Sequence, residues 1–281
     1  MTSADATLHE PSRRSRRWMR LVRQGLAWCV HCYTALGLMA AAGMAVLIVR
    51  GDAESLAWAF VLMLIATLID CTDGTLARAV RVKEVLPNFS GTHLDDLIDF
   101  LTYTCLPLLL LWRAQVLPPD LAWCWLVPLL ASAYGFCQVA AKTADGYFLG
   151  FPSLWNVVAL YLYVLRWPAW ATVGIVWLLA VLTFVPSRYL YPSRGGGRLN
   201  RVATVAGVAW VGLLVWILAR LLSGDAQDEE TRWLTLASLA YPVYYLAASW
   251  AVSLRLWRSG RRGRALKREP RGMQPMSEPR A

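Results

Sequence analysis

Along this chain, long stretches of almost wholly apolar residues alternate with short polar connections, and it is the length of the stretches that predicts the elements. The runs fall at roughly 27–49, 55–77, 95–116, 120–141, 153–166, 169–186, 202–222 and 233–256, the fifth being short. Most reach the roughly 17 to 25 residues an α-helix needs to cross a hydrocarbon core of about 30 Å. No run alternates apolar and polar residues as a membrane barrel strand would. The pattern predicts an all-α fold, a polytopic transmembrane helical bundle of about eight spans.

Composition agrees: 57% of the 281 residues are hydrophobic, only 16% are charged, and 15 are Trp, which is too apolar for a soluble domain of this size. The net charge of +10 does not point to nucleic acid, because the basic residues gather at the two ends and in alternate connections. Arg13, Arg14, Arg16, Arg17, Arg20 and Arg23 precede the first run, and eight Lys or Arg follow the last. Arg78, Arg81, Lys83, Lys142, Arg188, Arg194, Arg198 and Arg201 fill alternate connections, whereas the seventh carries Asp225, Asp228, Glu229 and Glu230. An even number of spans and this Lys/Arg bias both predict cytoplasmic termini, with the lipid bilayer as the main partner. Residues 1–26 read as a basic cytoplasmic segment whose Trp18, Met19, Leu21 and Val22 make it an amphipathic helix beside the membrane. Residues 27–257 form the membrane domain, and 258–281, rich in Arg, Gly and Pro, reads as a disordered basic tail. The six cysteines lie within or beside apolar runs and imply no disulfide framework. No removable signal is expected at the N-terminus.

Acidic residues inside apolar runs are costly and need a reason. The second run ends Asp70-Cys71-Thr72-Asp73-Gly74-Thr75-Leu76-Ala77-Arg78, and at 3.6 residues per turn positions 70, 73, 74 and 77 share a face. Two carboxylates therefore border two positions with almost no side chain, a notch where a flat nucleotide could approach the backbone. The third run opens Gly91-Thr92-His93-Leu94-Asp95-Asp96-Leu97-Ile98-Asp99, where Asp95 and Asp99 face the same way one turn apart. Four convergent carboxylates, Asp70, Asp73, Asp95 and Asp99, would repel one another unless cations neutralise them, and hard oxygen ligands select Mg²⁺ or Mn²⁺. Two ions bridged by a diphosphate would suit phosphoryl transfer, with one carboxylate free to act as base. The alternatives are acids paired with Arg78, Arg81 and Lys83, or a path for ions or protons.

The combined spacing DxxDGxxAR followed by GxxxDxxxD resembles the signature of the CDP-alcohol phosphotransferases, over residues 70 to 99. That resemblance implies a metal set of Asp70, Asp73, Asp95 and Asp99 holding two Mn²⁺ or Mg²⁺ ions, and Asp99 as the base with Asp95 beside it in catalysis. It implies a CDP-binding set of Asp70, Asp73, Gly74, Ala77, Arg78 and Gly91, with Thr34 of the first run added. The stretch from Ala79 to Ser90 is longer than most of the superfamily carries. That insert, together with DDLIDFLTY at Asp95–Tyr103, the later FLGFPSLWN at Phe148–Asn156, and His31 and Thr34, is similar to the bacterial phosphatidylcholine synthases. Cys71 stands where glycine is expected and Asp96 where asparagine is more usual.

This closer resemblance implies transfer of the phosphatidyl group from CDP-diacylglycerol to choline with release of CMP, in a bacterial inner membrane, with the active site cytoplasmic. A homodimer is a further expectation from the superfamily. A quaternary ammonium calls for aromatic faces and an acid, so the acceptor pocket is sought among Tyr103, Tyr134, Asp145, Phe148, Phe151, Trp155 and Asn156. Arg188 and Arg194 are candidates for the lipid phosphate. Pro107 and Pro128 would kink two spans to open a groove toward the bilayer. Serine, inositol or glycerol phosphate as acceptor, and an ion or proton transporter, stay open as alternatives.

Overall fold

The computed structural model describes residues 13–138, 147–190, 198–225 and 228–266. Every apolar run is helical, in the order α1 (Arg13–Arg50), α2 (Ala53–Val80), α3 (Val82–Val85), α4 (Gly91–Asp99), a π-helical segment (Phe100–Cys105) and α5 (Leu106–Arg113). A 3₁₀ segment (Pro119–Trp125) then leads into α6 (Leu126–Cys137), followed by α7 (Trp155–Leu165), α8 (Ala169–Phe184), α9 (Arg198–Leu222), α10 (Glu229–Ser238) and α11 (Ala240–Leu266). Four helical stretches are by themselves long and apolar enough to cross a membrane: 17–50, 53–80, 119–137 and 201–222. Met39, Val49 and Trp170 are 71%, 75% and 80% exposed, a distribution that makes sense only with lipid as solvent. The protein is an all-α membrane bundle.

The amphipathic segment and first span expected as separate pieces form one helix. Nothing between Arg23 and Ala27 stops a helix, since Gly25 is tolerated in a helix interior and meets no neighbour. At 1.5 Å per residue, the 38 residues of α1 exceed a bilayer core, so its basic first turns project beyond it. Helix α11 likewise continues to Leu266, into the segment read as disordered; residues 267–281 lie outside the described residues.

Helices α1 and α2 form an antiparallel pair closed by a tight turn. Gly51 takes φ +71°, and Asp52 caps α2 by accepting the Ser55 N–H at 2.9 Å and the Ser55 hydroxyl at 2.6 Å. That turn fixes one register down the pair, with Gly43 against Leu62 and, farther on, Thr34 against Asp73. Small residues at Ala40, Ala41, Ala57 and Ala59 let the two backbones approach. The core continues through Met44, Ile48, Phe60, Leu110, Leu111, Leu162 and Val176.

Pro107 acts through a π turn rather than a simple kink. It has no N–H to give, and the turn before it widens so that the Leu106 N–H reaches the Leu101 carbonyl. Pro128 sits in the first turn of α6, where a missing N–H costs little. A short two-stranded antiparallel sheet, β1 (Tyr147–Leu149) with β2 (Arg188–Leu190), is the strand structure among the described residues, and α7 and α8 lie between its strands in sequence. Its open edge is satisfied from α11, one turn apart: Ser253 accepts the Arg188 N–H at 2.6 Å, Ser249 accepts the Leu190 N–H at 3.1 Å, and Tyr245 donates to the Leu190 carbonyl at 2.9 Å. The chain leaves β1 through Gly150 at φ +82°, a position that needs glycine because a Cβ there would run into the Thr183 carbonyl oxygen.

Candidate active site

Helix α1 is the platform of the site. On it Gly37 admits Ile98, since a Cβ would lie 2.7 Å from the Ile98 methyl, and the His31 ring fills the space over Gly91. These two contacts seat α4 along α1, while the α1–α2 turn has already placed the end of α2 on the same platform. Asp70 of α2 and Asp95 and Asp99 of α4 thereby converge, each offering an oxygen within 4.8 Å of the others, and all three are half-buried. Asp73 lines the same cleft together with Thr34, Gly37, Ala66, Ile69 and Ile98, but lies outside that group of three. Asp73 is 6% exposed and accepts a hydrogen bond from the Thr34 hydroxyl at 2.8 Å; Asp70 accepts one from the Tyr103 hydroxyl at 2.9 Å.

Three convergent carboxylates fit a divalent cation by their chemistry: hard oxygen donors, close enough together to share one ion. Of the basic residues weighed as their partners, Arg78 donates to the Thr75 hydroxyl at 2.9 Å and Arg81 lies 4.0 Å from Glu84. Beside the acids, the helix face at Gly74 is open. Among the described residues, a Cβ there would meet nothing but the tip of Arg78 at 3.4 Å, so none of them uses the space for helix packing. Ala77 is half-buried next to it.

With fold and acids in place, comparison with known proteins is direct. Residues 31–185 match the family described as CDP-alcohol phosphatidyltransferase. The chain belongs to that family. It is also similar to proteins named phosphatidylcholine synthase: 34% identical to that of Pseudomonas aeruginosa over 245 residues, 86% of this chain and 96% of the relative. The Legionella bozemanae protein is 42% identical over 135 residues, 47% of this chain and 62% of the relative. That of Legionella pneumophila is 39% identical over 174 residues, 60% and 66% of the two chains. Membership makes the chain an enzyme, and the family is metal-dependent in general.

The remaining expected residues fare differently. Gly91 serves close packing against His31. Trp155 is 0% exposed, donates its indole N–H to Ser132 at 2.7 Å and packs edge-on against Phe151, itself buried. Both are core side chains here, because the segment after Gly150 runs inward and Phe151 packs against Trp155 and against Tyr189 of β2. Asn156 ties α7 to α2 by donating to the Thr67 hydroxyl at 3.0 Å. Tyr134 is exposed and stacks on Phe184 across α6 and α8. Phe148 is half-buried on β1, and Arg188 holds its guanidinium over the Tyr147 ring, 5.8 Å from the centroid. Asp145 and Arg194 lie outside the described residues. Cys29 and Cys32 are exposed and unbridged, as is Cys71. The insert after α2 folds as α3 and packs Val82 against Ala27 and Val30, with Phe89 over the His31 ring at 4.5 Å.

Thr67 carried no expectation, yet the signal was present: it is a polar residue in an apolar run, one turn before Asp70 on the same face. Gly37 could not be found this way, because only the approach of Ile98 gives it a role.

Proposed function

We propose that this chain transfers the phosphatidyl group of CDP-diacylglycerol to choline, forming phosphatidylcholine and releasing CMP. The observation that carries this reading is the convergence of Asp70, Asp95 and Asp99 beside the unfilled helix face at Gly74, in a chain whose relatives are named phosphatidylcholine synthase. The nucleotide lies against Gly74 and Ala77, with Arg78 at its edge, while the two acyl chains remain in the bilayer. Asp70, Asp95 and Asp99, with Asp73 alongside, hold two divalent cations, Mg²⁺ or Mn²⁺, whose charge when bound offsets that gathering on the departing phosphate.

Asp99 takes the proton of the choline hydroxyl as its oxygen forms a bond to the phosphorus that carries diacylglycerol. The bond from that phosphorus to the bridging oxygen breaks, and CMP leaves with the oxygen. The half-buried site, with hydroxyls of Thr34 and Tyr103 holding Asp73 and Asp70, keeps the carboxylates oriented between turnovers. With Phe151 and Trp155 in the core, Tyr103 bonded to Asp70 and Asn156 to Thr67, the members of the expected acceptor pocket left for the quaternary ammonium are Tyr134, Phe148 and Asp145. In this reading the end of the bundle that holds the site faces the cytoplasm from a bacterial inner membrane, an orientation the Lys/Arg bias of the connections supports; pairing of two copies is the family expectation.

The test is CMP and lipid formation by purified protein from CDP-diacylglycerol and labelled choline with Mn²⁺, beside Asp99→Asn and a metal-free control. Phosphatidylcholine from the metal-loaded wild type alone is expected. CMP release with serine, inositol or glycerol phosphate but not choline would overturn the acceptor, and no CMP with any alcohol would overturn the chemistry.

A further inference from the structure

A chain of polar side chains runs behind the carboxylates. Tyr103, in the π segment just after Asp99, is 8% exposed and donates its hydroxyl to Asp70 at 2.9 Å. Thr67 stands on α2, one turn before Asp70. Thr67 in turn gives its proton to the Met63 carbonyl at 2.9 Å and accepts the Asn156 amide at 3.0 Å. The Asn156 carbonyl oxygen takes the Val157 N–H at 2.9 Å, which fixes the orientation of the amide. Three helical segments are thus pinned by hydrogen bonds at membrane depth, where water does not compete.

The π turn explains how Tyr103 reaches Asp70. Asp95, Asp99 and Tyr103 are spaced by four, and in a regular α-helix each such step drifts about 40° around the axis. The wider turn after Asp99 reverses that drift, so the tyrosine stays on the face of the two aspartates. Such single π turns cluster at functional sites, and this one places a donor against a carboxylate. A ring this buried has no face free for a quaternary ammonium.

We propose that Tyr103 is a positioning residue, whose hydroxyl holds Asp70 in the orientation that faces Asp95 and Asp99, while the Asn156–Thr67 bond ties the preceding turn of α2 to α7. The inference rests on the metal-dependent reading above. Partners of this kind around ligand carboxylates are worth roughly 10- to 100-fold in metal affinity.

The experiment measures Mn²⁺ binding to full-length purified protein without substrate, by the electron paramagnetic resonance signal of free Mn²⁺, for wild type, Tyr103→Phe, Asn156→Leu and Asp70→Asn. Tyr103→Phe, which keeps the ring, is expected to weaken Mn²⁺ binding about tenfold or more and to raise the Mn²⁺ needed for half-maximal CMP release by the same factor, with choline KM unchanged. Asn156→Leu shifts both in the same direction by less. Undiminished Mn²⁺ affinity in Tyr103→Phe, with binding lost in Asp70→Asn, overturns the positioning role and leaves the metal site standing. A raised choline KM at unchanged Mn²⁺ affinity also overturns it and returns Tyr103 to the acceptor pocket. Equal Mn²⁺ binding by wild type and Asp70→Asn would instead overturn the metal reading itself. Thermal unfolding without Mn²⁺ shows whether each variant is folded.

Discussion

Two groups of three acids are gathered by this fold, and they are put to opposite uses. At the far end of α9, Arg220 collects Asp225 at 3.0 Å, Asp228 at 2.8 Å and Glu230 at 3.5 Å, and its Nε reaches the Thr231 hydroxyl at 3.3 Å. The same guanidinium lies over the Trp216 ring, 5.6 Å from the centroid. The acids there come from a connection and the first turn of α10, where they also suit the helix N-terminus, and the bundle supplies their counter-charge. Asp70, Asp95 and Asp99 come instead from inside apolar runs, where Asp70 accepts the Tyr103 hydroxyl and its neighbour Asp73 that of Thr34. A hydroxyl orients a carboxylate. Acids gathered at a cost in an apolar setting mark a functional site.

The sharpest way to break this contrast is to remove one acid from each group. Asp99→Asn should reduce CMP release by about 10²- to 10⁴-fold, as expected for loss of a general base, while Asp228→Asn leaves it unchanged. Equal losses would show that the two clusters do not differ in kind. Next in size is the packing of Trp155 against Ser132 and Phe151. Trp155→Ala should cost about 3–5 kcal/mol in unfolding, and Trp155→Phe should leave choline KM unaltered; a raised KM would put the indole back in the acceptor pocket. At the other cluster, Arg220→Ala should lower stability by only about 1 kcal/mol, since its partners are largely exposed, with no change in CMP release.

The smallest effect concerns Asp52, outside both groups. The Ser55 hydroxyl, and then its N–H, hold this carboxyl below the usual aspartate range. Its folded pKa being depressed, the contribution is present at neutral pH and is lost as pH falls through the folded value. Asp52→Ala should therefore narrow the gap in melting temperature between wild type and variant as the medium is acidified; a gap independent of pH would mean that the cap acts by its shape alone.

The acid cluster was legible in the sequence because carboxylates in apolar runs are rare and helical spacing states which of them share a face. The same reasoning could not separate the three that converge from Asp73, since that depends on where α4 rests on α1, a distance set by Gly37 and by the His31 ring over Gly91. The aromatic residues were the least legible. Phe148, Phe151 and Trp155 stand within one short segment, and composition gives no sign of which faces a ligand; the turn at Gly150 buries two of them.

By itself, then, the sequence determined the membrane class, the helical content and the chemistry of the acids, because length, hydropathy and the period of a helix are local properties. The tertiary structure alone decided that α4 rests on α1 at Gly37, that a π turn returns Tyr103 to the face of Asp99, and that Trp155 is core. Those depend on which surfaces meet, and contact between residues far apart in the chain leaves no periodic trace along it.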